Sequence, residues 1–159
     1  VNNSAHIAQT LATHPFLEGL SQPHLDKLVS LASEVRFQAD QVIFREADPS
    51  SLFYLIVEGE VALEIRAPGR IVRVQTIGAG EELGWSSLLA KVNKQFQART
   101  LSPVRAIAFD GVRLAAACDE DCLFGLIMLR KILAVVAERL RNTRLQVLDI
   151  YAKGGTSEA

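Results

Sequence analysis

The sequence predicts an α+β domain: an antiparallel β-barrel of the jelly-roll, or double-stranded β-helix, kind, with short helices before it and one long dimerisation helix after it. Three observations lead there. Residues 34–110 are rich in Val, Ile and Phe in short runs separated by turn residues, as in a sandwich or barrel. The apolar spacing is helical on both sides of that region. Finally, Leu123 to Ala152 contains no Pro and a single Gly, Gly125. At 1.5 Å per residue it forms a rod of roughly 45 Å. The length of 159 residues, 49% of them hydrophobic, suits one domain over 1–159: helices over 1–33, the barrel over 34–111 and helices over 112–153.

In order along the chain, Ile7, Leu11, Phe16, Leu17 and Leu20 are spaced for one helical face. Ser21 caps a second helix with Pro23 in its first turn, and Leu25, Leu28, Val29 and Leu31 continue its apolar side. Strands are predicted at Val35–Phe37, Val42–Phe44, Leu52–Val57, Val61–Ile65, Ile71–Ile77 and Val104–Phe109. Turns are predicted at Asp48-Pro49, Glu58-Gly59, Pro68-Gly69, Gly78-Ala-Gly80 and Ser102-Pro103. Leu83 to Lys91 reads as a short helix inside the strand series, and Gly154-Gly155 ends the long helix.

The formal net charge is −1, so no basic excess points to nucleic acid. The two cysteines, Cys118 and Cys122, are too few for a disulfide framework, and without a nearby histidine they make no metal site. No signal peptide or bilayer-spanning run is recognised, so a soluble cytoplasmic protein is expected. His6, His14 and His24 are expected at the surface or as caps, and Asp119-Glu-Asp121 as a solvated loop and a negative charge at a helix start. No nucleophile–base or Walker pattern is present, so an enzyme is not expected and no cofactor is required.

Leu126, Leu129, Leu133, Val136, Leu140, Thr143, Val147 and Ile150 follow one another at steps of three and four, a heptad seam with one polar member. Ile127, Ile132, Val135, Leu145 and Leu148 lie off it. A helix apolar on two sides covers two surfaces. One is its own barrel, and the simplest occupant of the other is the same helix from a second copy, since a two-fold axis makes one patch self-complementary. A homodimer is expected.

The segment Ile77-Gly-Ala-Gly-Glu-Glu-Leu-Gly-Trp-Ser-Ser-Leu-Leu89 opens a helix at Gly84. Its first amides, around Trp85, Ser86 and Ser87, are expected bare and convergent, a place for phosphate or simply a capped helix start. Here the chain resembles the cyclic nucleotide-binding domain family. Leu55-Ile-Val-Glu-Gly-Glu-Val61 is similar to the family's Leu-Ile-x-x-Gly-x-Val, and Leu83-Gly84-Trp85 to the Phe-Gly-Glu that opens its phosphate-binding cassette, here 78–100. Val42-Ile-Phe-Arg-Glu-Ala-Asp48 resembles its Ile-Phe-x-x-Gly-Asp turn, with Ala47 in place of glycine. His14 to Ser21 is similar to its leading helices.

The resemblance implies a ligand site at Leu83, Gly84, Trp85, Ser86, Ser87, Lys94, Gln95 and Arg99, with cyclic AMP or cyclic GMP as the possible ligand. Trp85 replaces the glutamate that holds the ribose hydroxyl, and the phosphate-pairing arginine falls near Lys94 or Gln95, with Arg99 close by. Charge-assisted hydrogen bonds contribute about 1.5–3 kcal/mol each, so both losses weaken ordinary nucleotide binding. Trp85, the sole tryptophan, reads as a core aromatic or plug, or else as a purine stack or a filler of the ribose position. Two functions follow: a sensor in which a small phosphate ligand biases the long helix, or a ligand-free dimeric interaction module. The family's transcription factors carry a helix-turn-helix after the long helix. Here Gly-Gly-Thr-Ser-Glu-Ala follows instead, so direct DNA binding is not expected.

Overall fold

Two four-stranded antiparallel sheets lie face to face in the computed structural model, which describes residues 2–89 and 92–154 and the side chains of 4–89 and 92–149. The first sheet runs β1 (Ala32–Phe37), β8 (Val104–Asp110), β3 (Leu52–Glu58), β6 (Glu82–Leu83). The second runs β2 (Val42–Phe44), β7 (Gln97–Thr100), β4 (Val61–Ala67), β5 (Arg70–Ile77). Among the described residues no strand pairs across from one sheet to the other, so the expected closed barrel is an open sandwich of the jelly-roll kind.

All six predicted strands form. β1 starts at Ala32 rather than after residue 33, because Ala32 and Ser33 pair with Phe109 and Ala108. β6 and β7 carry no alternation of their own. Pairing with β3 and β4 holds them extended: Tyr54 faces Leu83 and Ala62 faces Arg99.

The first sheet is buried on both faces. Along β3 and β8, Tyr54, Ile56, Ala106 and Ala108 point between the sheets, where Val61, Leu63, Ile77, Leu83 and Ala98 meet them. Phe53, Leu55, Ile107 and Phe109 point the other way, against the helices. The period of two explains why Leu52 to Val57 is apolar at every position. The helical layer comprises α1 (Asn2–Thr13), α2 (Gln22–Leu31), α3 (Gly111–Glu120) and α4 (Cys122–Gly154), with Ile7, Leu11, Leu28, Leu114, Phe124 and Met128 in its core.

Side-chain caps set the starts of α3 and α4, whereas Ser21 stands at the N-cap of α2 without a side-chain bond. Asp110 Oδ1 accepts the Arg113 amide at 2.9 Å and Asp121 Oδ1 the Phe124 amide at 3.0 Å. The expected solvated loop at 119–121 is therefore the last turn of α3 plus the cap of α4. His14 caps a 3-10 turn, Pro15–Leu17, through Nδ1, while its Nε2 donates to the Ile56 carbonyl at 2.9 Å. Burial lowers its pKa, in keeping with that neutral tautomer. His24 is not at the surface as expected: it is buried with its ring on Phe124, centroids 5.3 Å apart. Gly155 lies outside the described residues, and α4 is helical through Gly154.

α4 presents two faces. Phe124, Met128 and Ile132 are buried and Arg139 is half-buried on the side toward the sandwich, whereas Leu126, Leu129, Leu133, Leu140 and Val147 of the predicted seam are exposed, Leu133 by 63% and Leu140 by 62%. Val136 is half-buried, and Thr143 is exposed with its hydroxyl donating to the Arg139 carbonyl at 2.9 Å. The side chain of Ile150 lies outside the described residues. Of the second apolar set, Ile132 is buried and Ile127 and Val135 half-buried, but Leu145 and Leu148 are exposed.

Candidate functional site

Two turns and one strand end position the site. Gly84 follows β6 at φ +86, a conformation only glycine takes without strain, and opens a 3-10 turn over Trp85–Leu88. A Cβ on Gly84 would stand 2.6 Å from the Leu52 carbonyl oxygen and 2.9 Å from the Lys94 ammonium, so glycine lets Lys94 reach this backbone. The Arg45–Asp48 turn holds Lys94 from the other side. Ala47 N–H donates to the Lys94 carbonyl and Lys94 N–H to the Asp48 carbonyl, both at 2.9 Å. Ala47 has φ +68, the left-handed region in which the resembled family has glycine.

Lys94 is 4% exposed. Its ammonium donates to the Leu52 carbonyl at 3.2 Å and lies 4.4 Å from the centre of the Phe44 ring. Burial pushes its pKa down to about 8, and the charge of Glu82 partly offsets this. Glu82, 1% exposed, pairs with Arg139 of α4, whose guanidinium also donates to the Glu82 backbone carbonyl at 2.9 Å. Burial pushes the Glu82 carboxyl up to about 7, against the pull of Arg139 and Lys94. One carboxylate oxygen of Glu82 and Nε of Arg139 are buried with no hydrogen-bond partner. No motif announces Glu82 or Arg139. The only sequence signal is a charged residue on the sheet side of an otherwise apolar helix face.

Leu83, Gly84, Trp85, Ser86, Lys94 and Gln95, all singled out from sequence, surround one cavity with Phe44, Leu63, Phe96 and Arg139. It holds only about 20 Å³, room for roughly one water. Ser86 Oγ bonds Ser50 Oγ at 2.6 Å. Ser87 does not line the cavity: its amide is not bare as expected but donates to the Gly84 carbonyl at 3.0 Å, closing the short turn, and its hydroxyl is buried without a partner. Gln95 is exposed and its amide turns back to the Asn93 carbonyl at 3.0 Å. Arg99 is elsewhere. It pairs with the buried Glu64 and with Asp40 at 2.8 Å, which raises its pKa further, so its charge is committed outside this cavity. Trp85 packs half-buried on the helical core.

A larger cleft of about 500 Å³ lies between α1 and the first sheet, lined by His6, Thr10, Thr13, His14 and Arg105. Its polar groups are already engaged: Arg105 with Glu58 and Glu34, and both threonine hydroxyls with carbonyls of α1. Among the described residues no group of three or more His, Cys, Asp and Glu could hold a metal ion, and no helix is long and apolar enough to cross a membrane.

Known proteins share this fold. The family model for the cyclic nucleotide-binding domain matches residues 34–121. A CRP-like cAMP-activated global transcriptional regulator from Mycobacterium tuberculosis is 26% identical over 148 residues, covering 89% of this chain and 62% of the regulator. The N-terminal domain of a transcriptional regulator from Streptomyces coelicolor superposes with a TM-score of 0.67 at 26% identity, covering 87% of this chain and 94% of that one. A cyclic nucleotide-binding domain from Methylobacillus flagellatus superposes with a TM-score of 0.77 at 19% identity, covering 92% of this chain and 83% of that one, a likeness of fold. The chain spans between 35% and 62% of the length of the curated relatives it matches. Its sandwich, its cassette turn at Gly84 and the match over more than half its length make it a member of the cyclic nucleotide-binding domain family.

Proposed function

We propose that the chain is a non-catalytic regulatory domain that works as a homodimer through α4, with the family's nucleotide pocket closed by its own side chains. The observation that carries this reading is the cavity beside Gly84, about 20 Å³ against the roughly 300–1,000 Å³ of ordinary ligand pockets. Phe44, Trp85, Phe96 and Arg139 occupy the surrounding space. The dimer rests on the exposed row Leu126, Leu129, Leu133, Leu140 and Val147, at coiled-coil spacing. An apolar groove of about 400 Å³ between the cassette turn and α4 is contiguous with that row through Leu129. A regulatory role accords with that of the Mycobacterium relative, a transcriptional regulator.

Lys94 favours a second reading, in which a phosphate-bearing ligand, cyclic AMP or cyclic GMP first, enters the same cavity. It stands where the family's arginine falls and keeps a buried ammonium against Gly84. Titration of the purified dimer with cyclic AMP, cyclic GMP and cyclic dinucleotides at millimolar levels separates the two, with Trp85 fluorescence and melting temperature as readouts. The closed-pocket reading predicts neither a change in emission nor a rise in Tm. A saturable response to one nucleotide establishes the second reading instead.

A further inference from the structure

Around the cassette, one buried and one half-buried cation face a buried carboxylate. Lys94 comes from the segment after the cassette turn, Arg139 from the middle of α4, and Glu82 from the strand before Gly84. With all three ionised the cluster carries one positive charge in excess, and an uncompensated buried charge is costly. Both cations line the small cavity. Arg139 keeps one guanidinium nitrogen, Nε, unpartnered there, so its donor capacity is not exhausted by Glu82. The Glu82 carboxylate, for its part, has one oxygen without a donor.

Resting on the closed-pocket reading, we propose that Glu82 is an internal stand-in for an external oxyanion: a phosphate or sulfate group that reaches Lys94 and Arg139 displaces the carboxylate and releases α4 from the cassette. The geometry favours exchange over simple addition, since the cavity is too small to admit a phosphate while Glu82 holds Arg139. Glu82 is easily displaced because burial works against its ionised form. Arginine is suited to the exchange, since its fork binds carboxylate and phosphate with the same geometry. α4 feels the exchange directly. Arg139 is its half-buried charged anchor on the sandwich, and Leu140 of the exposed row is the next residue.

The test uses the full chain, with inorganic phosphate and sulfate as probes at constant ionic strength set by chloride. Glu82→Gln removes the competing charge and keeps the side chain's size. It is expected to bind phosphate and sulfate at least tenfold more tightly than the wild type, by Trp85 fluorescence and by the rise in Tm. Glu82→Gln/Arg139→Gln is expected to lose that gain. Equal anion response in the wild type and Glu82→Gln overturns the proposal, as does a gain that survives in the double variant, which would mark a non-specific salt effect. If Glu82→Gln does not fold, Arg139→Lys supplies the test. It keeps the charge but loses the fork, and the proposal requires a weakened Trp85 response to phosphate; an unchanged response overturns it. A parallel arm with 5′-AMP and cyclic AMP separates a nucleotide-borne phosphate from the free ion. A wild type that binds cyclic AMP tightly with Glu82 still on Arg139 refutes the closed-pocket reading instead, so the two failures differ.

Discussion

At the scale of single residues, the Ala47 position is under-optimised. Its φ of +68 is costly for a side chain with a Cβ, by about 1–2 kcal/mol, and glycine returns part of that through unfolded-state entropy. Ala47→Gly is therefore expected to stabilise the chain by about 0.5–1 kcal/mol in urea denaturation. Gly84 is the reverse case. Gly84→Ala adds left-handed strain and a Cβ 2.6 Å from a backbone oxygen, and is expected to cost about 2 kcal/mol or more by the same measurement. Glu82 predicts a pH dependence. Its folded pKa of about 7 lies above the unfolded carboxyl range, so the native state holds the proton that the unfolded chain has released. Stability from this group is present below the unfolded value and falls as pH rises toward 7, by at most about 1.4 kcal/mol per pH unit. Lys94, pushed down to about 8, acts oppositely above that pH, because there the unfolded chain binds the extra proton and stability recovers as pH rises. Urea midpoints of the wild type minus those of Glu82→Gln are expected to fall between pH 5 and 7 and then level off. A flat difference excludes the buried, uptitrated carboxyl. Gly84 was legible beforehand through the glycine turn, and Lys94 through the family resemblance. Glu82 and Arg139 were not, since 57 residues separate them and only the fold brings them together.

At the scale of elements, strands with their own alternation or full apolar run were legible, and so were the helix flanks. The strands that were missed, β6 and β7, owe their shape to partners. Gln97-Ala-Arg-Thr100 is polar at three of four positions and stays extended because β2 and β4 bond it on both edges. The open sandwich was also beyond the sequence: strand spacing is alike in barrels and sandwiches, and only pairing distinguishes them. The long helix was read most fully. Its period gave the exposed row, while of the apolar set off that row only Ile132 is buried and Phe124 and Met128 of the buried face went unread; the exposed row predicts the variant that isolates the monomer. Leu133→Asp with Leu140→Asp puts charges into the seam while leaving the buried Phe124, Met128 and Ile132 face intact. Light scattering is expected to read a dimer for the wild type and a monomer for the double variant, with the circular dichroism of the folded domain unchanged. A wild-type monomer at micromolar concentration removes the dimer from the proposal.

At the scale of the whole molecule, α4 joins two equilibria. One side of the helix reaches the cassette through Arg139, and the other carries the dimer row one residue away at Leu140. If the Glu82–Arg139 pair sets the path of the helix past the sandwich, breaking it loosens the second half of the seam, because the described residues of α4 beyond Arg139 are almost all exposed and the Gln146 amide on the Val74 carbonyl is an exposed contact. The expected consequence is a wild-type dimer about fivefold weaker in saturating phosphate than in chloride, and a Glu82→Gln dimer that is weaker already in chloride, both measured by sedimentation. Linkage then fixes a second number without further assumption. The dimerisation-deficient Leu133→Asp/Leu140→Asp chain must bind phosphate more tightly than the wild-type dimer does, with the factors matched once both binding sites of the dimer are counted. If the anion leaves the dimer constant unchanged, the cassette and the seam are energetically separate, and α4 is a shared scaffold rather than the element that carries a signal between them.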